Sequence, residues 1–245
     1  LFLVSLNILN KENKIIKFLT ESYLRKVYLI EQKHKNIINI IDNELKDNSK
    51  NNKFSHVQPK INEVFKNSRM DAGYYSKEIK GLLHRIHDYS KGFKPLTEQG
   101  LELIPGPSLE LKIIGTRVDS DVYLKNFYRL ITPTQISDFG IINYYKFIGT
   151  PKKINHIDYG DIIFGESGTG RSAVYLDDEY KTINNAHAHI LRPIKDKCSL
   201  DKSITIRCIL QYYKEIGLID LMTVGGSGGH LSPSYFDRVP IPNFS

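Results

Sequence analysis

The feature that most constrains this chain is a change of texture close to residue 50. From residue 11 to residue 46 there is neither proline nor glycine. Over that stretch Ile16, Tyr23, Val27, Ile30, Ile37 and Ile41 fall on alternating spacings of four and three once Thr20 and His34 are counted in the same seam. A run without helix breakers and with a heptad seam predicts a long helix packed along another helix. An amphipathic helix lying on its own globular domain is the alternative. His34 has no second ligand one turn away, so it reads as a polar seam residue rather than a metal ligand. The polar run KDNSKNNK then ends the helix and reads as a linker.

From Phe54 onward short segments are punctuated by Gly and Pro. MDAGYYSKEIKGLLHRIHDYS contains a helical stretch, and LELIPGPSLE reads as a turn-rich loop. IINYYKFIG, DIIFG, SAVYL, TINNAHAHILRP and ITIRCIL are rich in β-branched and aromatic residues and read as strands. CILQYYKEIGLIDLM reads as a helix or helix pair before a glycine-rich loop and a proline-rich exit. Helices and strands alternate without a regular βαβ rhythm. The expected class is therefore α+β, an irregular mixed domain over 51–245 preceded by a long coiled-coil-type helix within 1–50.

Composition narrows the partners. With 40% hydrophobic and 25% charged residues the chain can bury a core and departs from disordered compositions. The formal net charge of +7 favours a polyanion, because lysine and arginine beside phosphates release counterions. Cys198 and Cys208 are the only cysteines, too few for a disulfide framework or a four-thiolate zinc site, and a reducing cytoplasmic setting is the simplest expectation. The opening LFLVSLNIL is shorter than the roughly twenty residues of a membrane span and lacks the basic leader of a signal peptide, so no membrane partner is expected. The chain opens at Leu1 rather than at methionine, which reads as an excerpt of a longer protein.

GESGTGRS, from Gly165 to Ser172, matches the phosphate-loop pattern except that Arg171 replaces lysine. A phosphate loop needs a helix starting at the lysine and hydroxyl residues, whose free amides face the phosphate. Here AVYLDD follows and reads as a strand, so a strand, glycine turn, strand hairpin presenting Arg171 and Ser172 is expected instead. A helix beginning at Arg171 would restore the nucleotide-enzyme reading. In HAH, strand alternation puts His187 and His189 on one face, where they can bind a metal, contact a phosphate or fill a polar sheet face. Asp158, Asp161 and Glu166, and the acidic turn Asp177, Asp178 and Glu179, lack the lysine spacing of metal-dependent nucleases and read as solvated charges. Ser227 and His230 in GGSGGH lack the strand-turn-helix setting of a nucleophile elbow. No NPPY-like tetrapeptide or glycine-rich cofactor fingerprint occurs, so no catalytic residue and no cofactor are assigned to this chain.

Four pieces in order, SRMDAGYYS, YGDIIFGESGTGRSAVY, NNAHAHILRP and the closing YYKEIGLIDLMTVGGSGGHLSPSYFDRVPIPNF, resemble the DNA specificity subunits of type I restriction-modification systems. The resemblance covers residues 67–244 and rests most on the closing string. It implies a target-recognition domain for double-stranded DNA, with DNA adenine methyltransferase (modification) subunits supplying S-adenosylmethionine and a restriction subunit joining. It also implies that the 11–46 segment is the helix following a preceding recognition domain, so that a second recognition half or a second copy completes the coiled coil. On this reading Arg171, Ser172, His187, His189 and His230 are candidate DNA contacts in the major groove, with Lys152, Lys153 and Arg69 on phosphates. Tyr235 and Phe236 are expected as core or loop anchors, and Asn243 and Phe244 as anchors of the exit. A coiled-coil adaptor whose globular domain binds protein is the remaining alternative.

Overall fold

The computed structural model describes residues 25–26, 28–47, 59–67, 70, 73–166, 170–223, 231 and 233–244. Residues 1–40 and 41–245 form two compact units. In the first, the described residues are helical, with Tyr28, Leu29 and Ile40 exposed and the seam residues Ile30, His34 and Ile37 half-buried. Helix, here α1, is recorded over 28–47. The rest of the expected seam, Ile16, Thr20, Tyr23 and Val27, lies outside the described residues.

The second unit is an α+β domain. Its share of α1 is tied down by buried Ile41 and Leu45 and by two carboxylates. Asp42 accepts from Arg85 at 3.2 Å and from Tyr212 at 3.0 Å, and Glu44 accepts the Tyr89 hydroxyl at 2.6 Å. Then follow α2 (Ile61–Asn67), α3 (Lys77–His87), β1 (Phe93–Pro95), β2 (Leu101–Pro105), α4 (Leu111–Ile114), β3 (Val118–Ser120), β4 (Tyr128–Leu130), β5 (Lys146–Gly149), β6 (Ile162–Gly165), β7 (Ser172–Val174), β8 (Thr182–Ile183), β9 (Ala188–Pro193), α5 (Leu200–Glu215), α6 (Leu218–Met222) and β10 (Pro240–Pro242).

Two four-stranded sheets carry the domain, one in the order β2-β9-β6-β7 and the other β3-β5-β4-β8. The first is antiparallel throughout, and in the second only β4 and β8 run parallel. In β6 the consecutive apolar residues Ile162, Ile163 and Phe164 are fully buried, as a strand covered on both faces requires. Ile163, Ala173 and Ile190 pack with Ile131, Ile136 and Ile157 in one core, and Phe164 meets Phe236 edge-on at 5.6 Å. A second core joins Ile114, Leu130, Ile148, Ile154 and Ile183 under the other sheet. The chain exit pairs β10 with β1, a short two-stranded ribbon whose prolines suit a sheet edge.

Two expectations are corrected. LELIP forms β2, paired along its length with β9, because Leu101 and Leu103 have a partner strand that a local turn reading does not see. ITIRCIL lies inside α5, capped by Ser199, whose hydroxyl accepts from Lys202 N at 3.2 Å. Ile206, Ile209, Leu210 and Tyr213, on one helical face, are all 0–1% exposed. Burying them outweighs the few tenths of a kcal/mol that each β-branched residue loses in a helix.

Candidate nucleic-acid interface

The GESGTGRS segment is a β-hairpin. Phe164 faces Ser172 and Ile163 faces Ala173 across antiparallel β6 and β7, and Gly165 N–H donates to the Arg171 carbonyl at 2.8 Å. The turn residues 167–169 lie outside the described residues. Since Arg171 leads into a strand, there is no helix N-terminus to hold a phosphate and the phosphate-loop reading falls. Gly170 has φ +53°, and a Cβ there would sit 2.9 Å from Ile219 Cγ2, so the returning strand lies tightly against α6.

Arg171 is 30% exposed and donates to Asp138 at 3.0 Å. Lys214 of α5 bonds the same carboxylate oxygen. The Lys214 hydrogen bond, with the help of Arg171, holds the Asp138 carboxyl below its ordinary range. Ser172 is placed otherwise than expected: it is fully buried in β7, and its carbonyl accepts from buried Arg207 at 3.1 Å. Its hydroxyl has no hydrogen-bond partner and reaches no DNA groove from that position. The residue alternation that exposes Arg171 turns its neighbour inward.

The two histidines of HAH also part company. His187 is exposed in a turn closed by its own N–H to Asn185 Oδ1 at 3.2 Å and by Asn184 Nδ2 to the Ala188 carbonyl at 2.7 Å. His189 is in β9, its side chain 4% exposed, with Nε2 at 2.6 Å from Glu166 Oε2 and Phe236 across its ring. The approach does not make a well-formed hydrogen bond, so the two groups meet as a close polar contact. His189 is therefore interior, and the shared-face expectation is corrected, because β9 begins only at Ala188. Glu166 clamps this end of the domain through its backbone, donating to His187 O and accepting from Leu231 N, both at 3.1 Å. His230, Ser227 and Arg69 lie outside the described residues.

Lys152 and Lys153 are exposed on the loop after β5. The loop is fastened by Thr150, whose hydroxyl donates to Ile114 O at 2.8 Å, and by the Tyr128 hydroxyl, which accepts Ile154 N at 3.3 Å. Both lysines border two clefts. One is lined by Pro107 and Asn184 and reaches toward the His187 turn, against which Gly106 packs so closely that a Cβ would lie 1.9 Å from Asn185 O. The other holds Tyr123, Tyr180 and a third lysine, Lys181. Among the described residues, Lys153 and Lys181 have no carboxylate partner, and Lys152 Nζ donates only to the Ile113 carbonyl, at 3.0 Å.

Several arginines behave in the opposite way. Arg117 pairs with Asp119, Arg85 with Asp42, and Arg192 with Asp158 and Asp161. Arg129, 3% exposed, donates to Asp177 at 2.7 Å, Tyr175 Oη at 2.8 Å and Thr182 Oγ1 at 3.0 Å, with its guanidinium over the Tyr145 and Tyr180 rings. The carboxylates expected to be solvated are thus partly structural. Asp161 is 1% exposed, and burial raises its pKa despite the Arg192 pair, while Asp177 is drawn below its ordinary range by the Arg129 hydrogen bond. No lone arginine in the sequence signals that it will be buried, and nothing there marked Arg129 or Arg192. Among the described residues no group of three or more His, Cys, Asp or Glu could hold a metal ion, and no helix is long and apolar enough to cross a membrane.

No known family profile matches the chain, and no curated protein does. Among solved structures it is similar to the HsdS subunit from Thermoanaerobacter tengcongensis, at 13% identity over 92% of this chain and 44% of that one, with a TM-score of 0.46. It is also similar to a structure described as the basis of complex assembly and conformational transition of the type I R-M system, at 11% identity over 89% of this chain and 46% of that one, with a TM-score of 0.45. The chain therefore spans less than half the length of these proteins.

Proposed function

We propose that this chain recognises double-stranded DNA as the target-recognition part of a type I specificity subunit and leaves catalysis to partner subunits. The observation that carries the reading is the sorting of cations. Arg85, Arg117, Arg129, Arg171 and Arg192 are each held by a carboxylate, whereas Lys152, Lys153 and Lys181 gather on one cleft with none in ion-pair contact, Glu179 being the one acid in its lining. Three lysines against one acid on one surface fit a polyanion, since each phosphate neutralised releases condensed counterions. In this account the lysines position the duplex, and the His187 turn and Arg171 hairpin offer side chains to base edges. DNA competes with Asp138 for Arg171.

The closing string supports the reading as scaffold. Phe236 packs on Phe164 and His189, Leu231 bonds to Glu166, and Tyr213 bonds to the Pro240 carbonyl. The string thereby holds the hairpin and the His187 turn to one another. DNA adenine methyltransferase subunits with S-adenosylmethionine, a restriction subunit, and a second recognition half or second copy joined through the 11–46 segment complete the proposed assembly.

The test is the salt dependence of binding to random-sequence duplex. On a plot of log affinity against log salt, each phosphate contact contributes a slope of about −0.9. Lys152→Ala, Lys153→Ala and Lys181→Ala should each flatten the slope by up to about one unit, without changing which sequences are preferred. Slopes identical to wild type in all three would remove these lysines from the interface.

A further inference from the structure

Beside the lysines, the turn after β3 presents Val122, Tyr123 and Leu124, which are 65%, 46% and 44% exposed. Consecutive large apolar residues in water are costly, and this turn is built to hold them there. Ser120 Oγ accepts from Val122 N at 3.1 Å and donates to Val122 O at 2.7 Å, and Phe127 N donates to Leu124 O at 3.0 Å. Tyr123 is backed by two rings, Tyr180 at 4.7 Å with a 53° tilt and Phe147 at 5.7 Å edge-on. Behind Tyr180 stands the Arg129 guanidinium, 4.9 Å from its ring centre. The Tyr123 ring is thus braced on its inner side and nearly half open. The cleft it walls measures about 440 Å³ and is lined by Lys152, Lys153 and Lys181 and by one acid, Glu179. That volume falls within the range of about 300–1,000 Å³ typical of small-ligand sites, and it is far smaller than a duplex groove.

We propose that this cleft is a nucleobase site, in which one unstacked base lies on the open face of Tyr123 while its flanking phosphates meet Lys152, Lys153 and Lys181. A braced ring beside three lysines that outnumber the single acid of the cleft, Glu179, is the pairing that single-stranded nucleic-acid sites use, because every base offers a π-face and every linkage a negative charge. The lysines select a polyanion over an apolar protein surface. The inference rests on the DNA reading above and adds that the bound DNA carries a locally unstacked base, as when apolar wedges open a base step.

The experiment uses the full chain and three fluorescent probes: a perfect duplex, the same duplex with a single unpaired 2-aminopurine, and a single strand. The expected result is a roughly tenfold preference for the duplex with the unpaired base over the perfect one, together with quenching of 2-aminopurine as it stacks. Tyr123→Leu, which keeps an apolar contact with Tyr180, should lose both the preference and the quenching, and Tyr123→Phe should keep them. Binding to perfect duplex should stay within about twofold for both variants. Equal affinity for the perfect and unpaired duplexes without quenching would overturn the base site and leave the duplex reading standing. Binding of the unpaired and single-stranded probes with none of the perfect duplex would uphold the base site and overturn the duplex reading. Nucleic-acid affinities and quenching unmoved by Tyr123→Leu would assign the exposed turn to a protein partner and overturn the proposal.

Discussion

At the scale of single residues, the chain has cations that hold structure and others that make no ion pair among the described residues. Arg129 enters the interior with a carboxylate, two hydroxyls and two aromatic faces around it, a set that the planar guanidinium can satisfy and an ammonium cannot. Asp177 and Asp138, the carboxylates serving Arg129 and the Arg171–Lys214 pair, are both held below their ordinary value of 3.8, in each case first by a hydrogen bond to the cation. A folded-state pKa depressed in this way adds stability above the unfolded value, and the gain disappears as pH falls through the folded one. Asp161 has the opposite sign: its raised pKa means that protonation favours the folded state, so its penalty lessens as pH falls toward 3.8. Urea midpoints should therefore be insensitive to Asp138 and Asp177 between about pH 5 and 7 and should fall below pH 3.8. Asp138→Asn should weaken that acid sensitivity, modestly because the carboxylate is 49% exposed and screened by water. An unchanged acid limb would mean that the pair adds nothing.

At the scale of elements, legibility followed how local the cause was. The hairpin could be read because its glycines and the strand-like AVYL lie side by side in the sequence, and the helix in SKEIKGLLHRIH because its Ser76 cap and apolar spacing are local. ITIRCIL could not be read, because it is helical through what it packs against. Nor could β2, whose partner β9 is distant in sequence, or the ribbon that returns β10 to β1. The candidate site divides in the same way. Lys152 and Lys153 are exposed on a loop, as their polar setting suggested, whereas the inward turn of Ser172 and His189 depends on where β7 and β9 begin. The hairpin's return at Gly170 gives a prediction of its own. With φ at +53° and Ile219 closing the space, Gly170→Ala should lower stability by about 1–2 kcal/mol in urea unfolding. A neutral substitution would show that the hairpin is not pressed onto α6.

At the scale of the molecule, two sheets and the packed exit strand bring the His187 turn, the Glu166 end of the hairpin and Leu231 together. The second sheet carries the Tyr123 turn after its edge strand β3 and the lysine loop after its inner strand β5. On the proposed reading the two sheets are a frame for loops of different chemistry, the lysines meeting phosphates and the His187 and Arg171 loops meeting base edges. The central claim is that this frame reads DNA sequence, and the most direct measurement is selection from a pool of random duplexes at near-physiological salt, with the partner methyltransferase present. The account predicts enrichment of a defined sequence, with Arg171→Ala relaxing preference at one position by about 1–3 kcal/mol if that side chain reads a base. A pool that emerges with no sequence enriched, while binding persists, would contradict it.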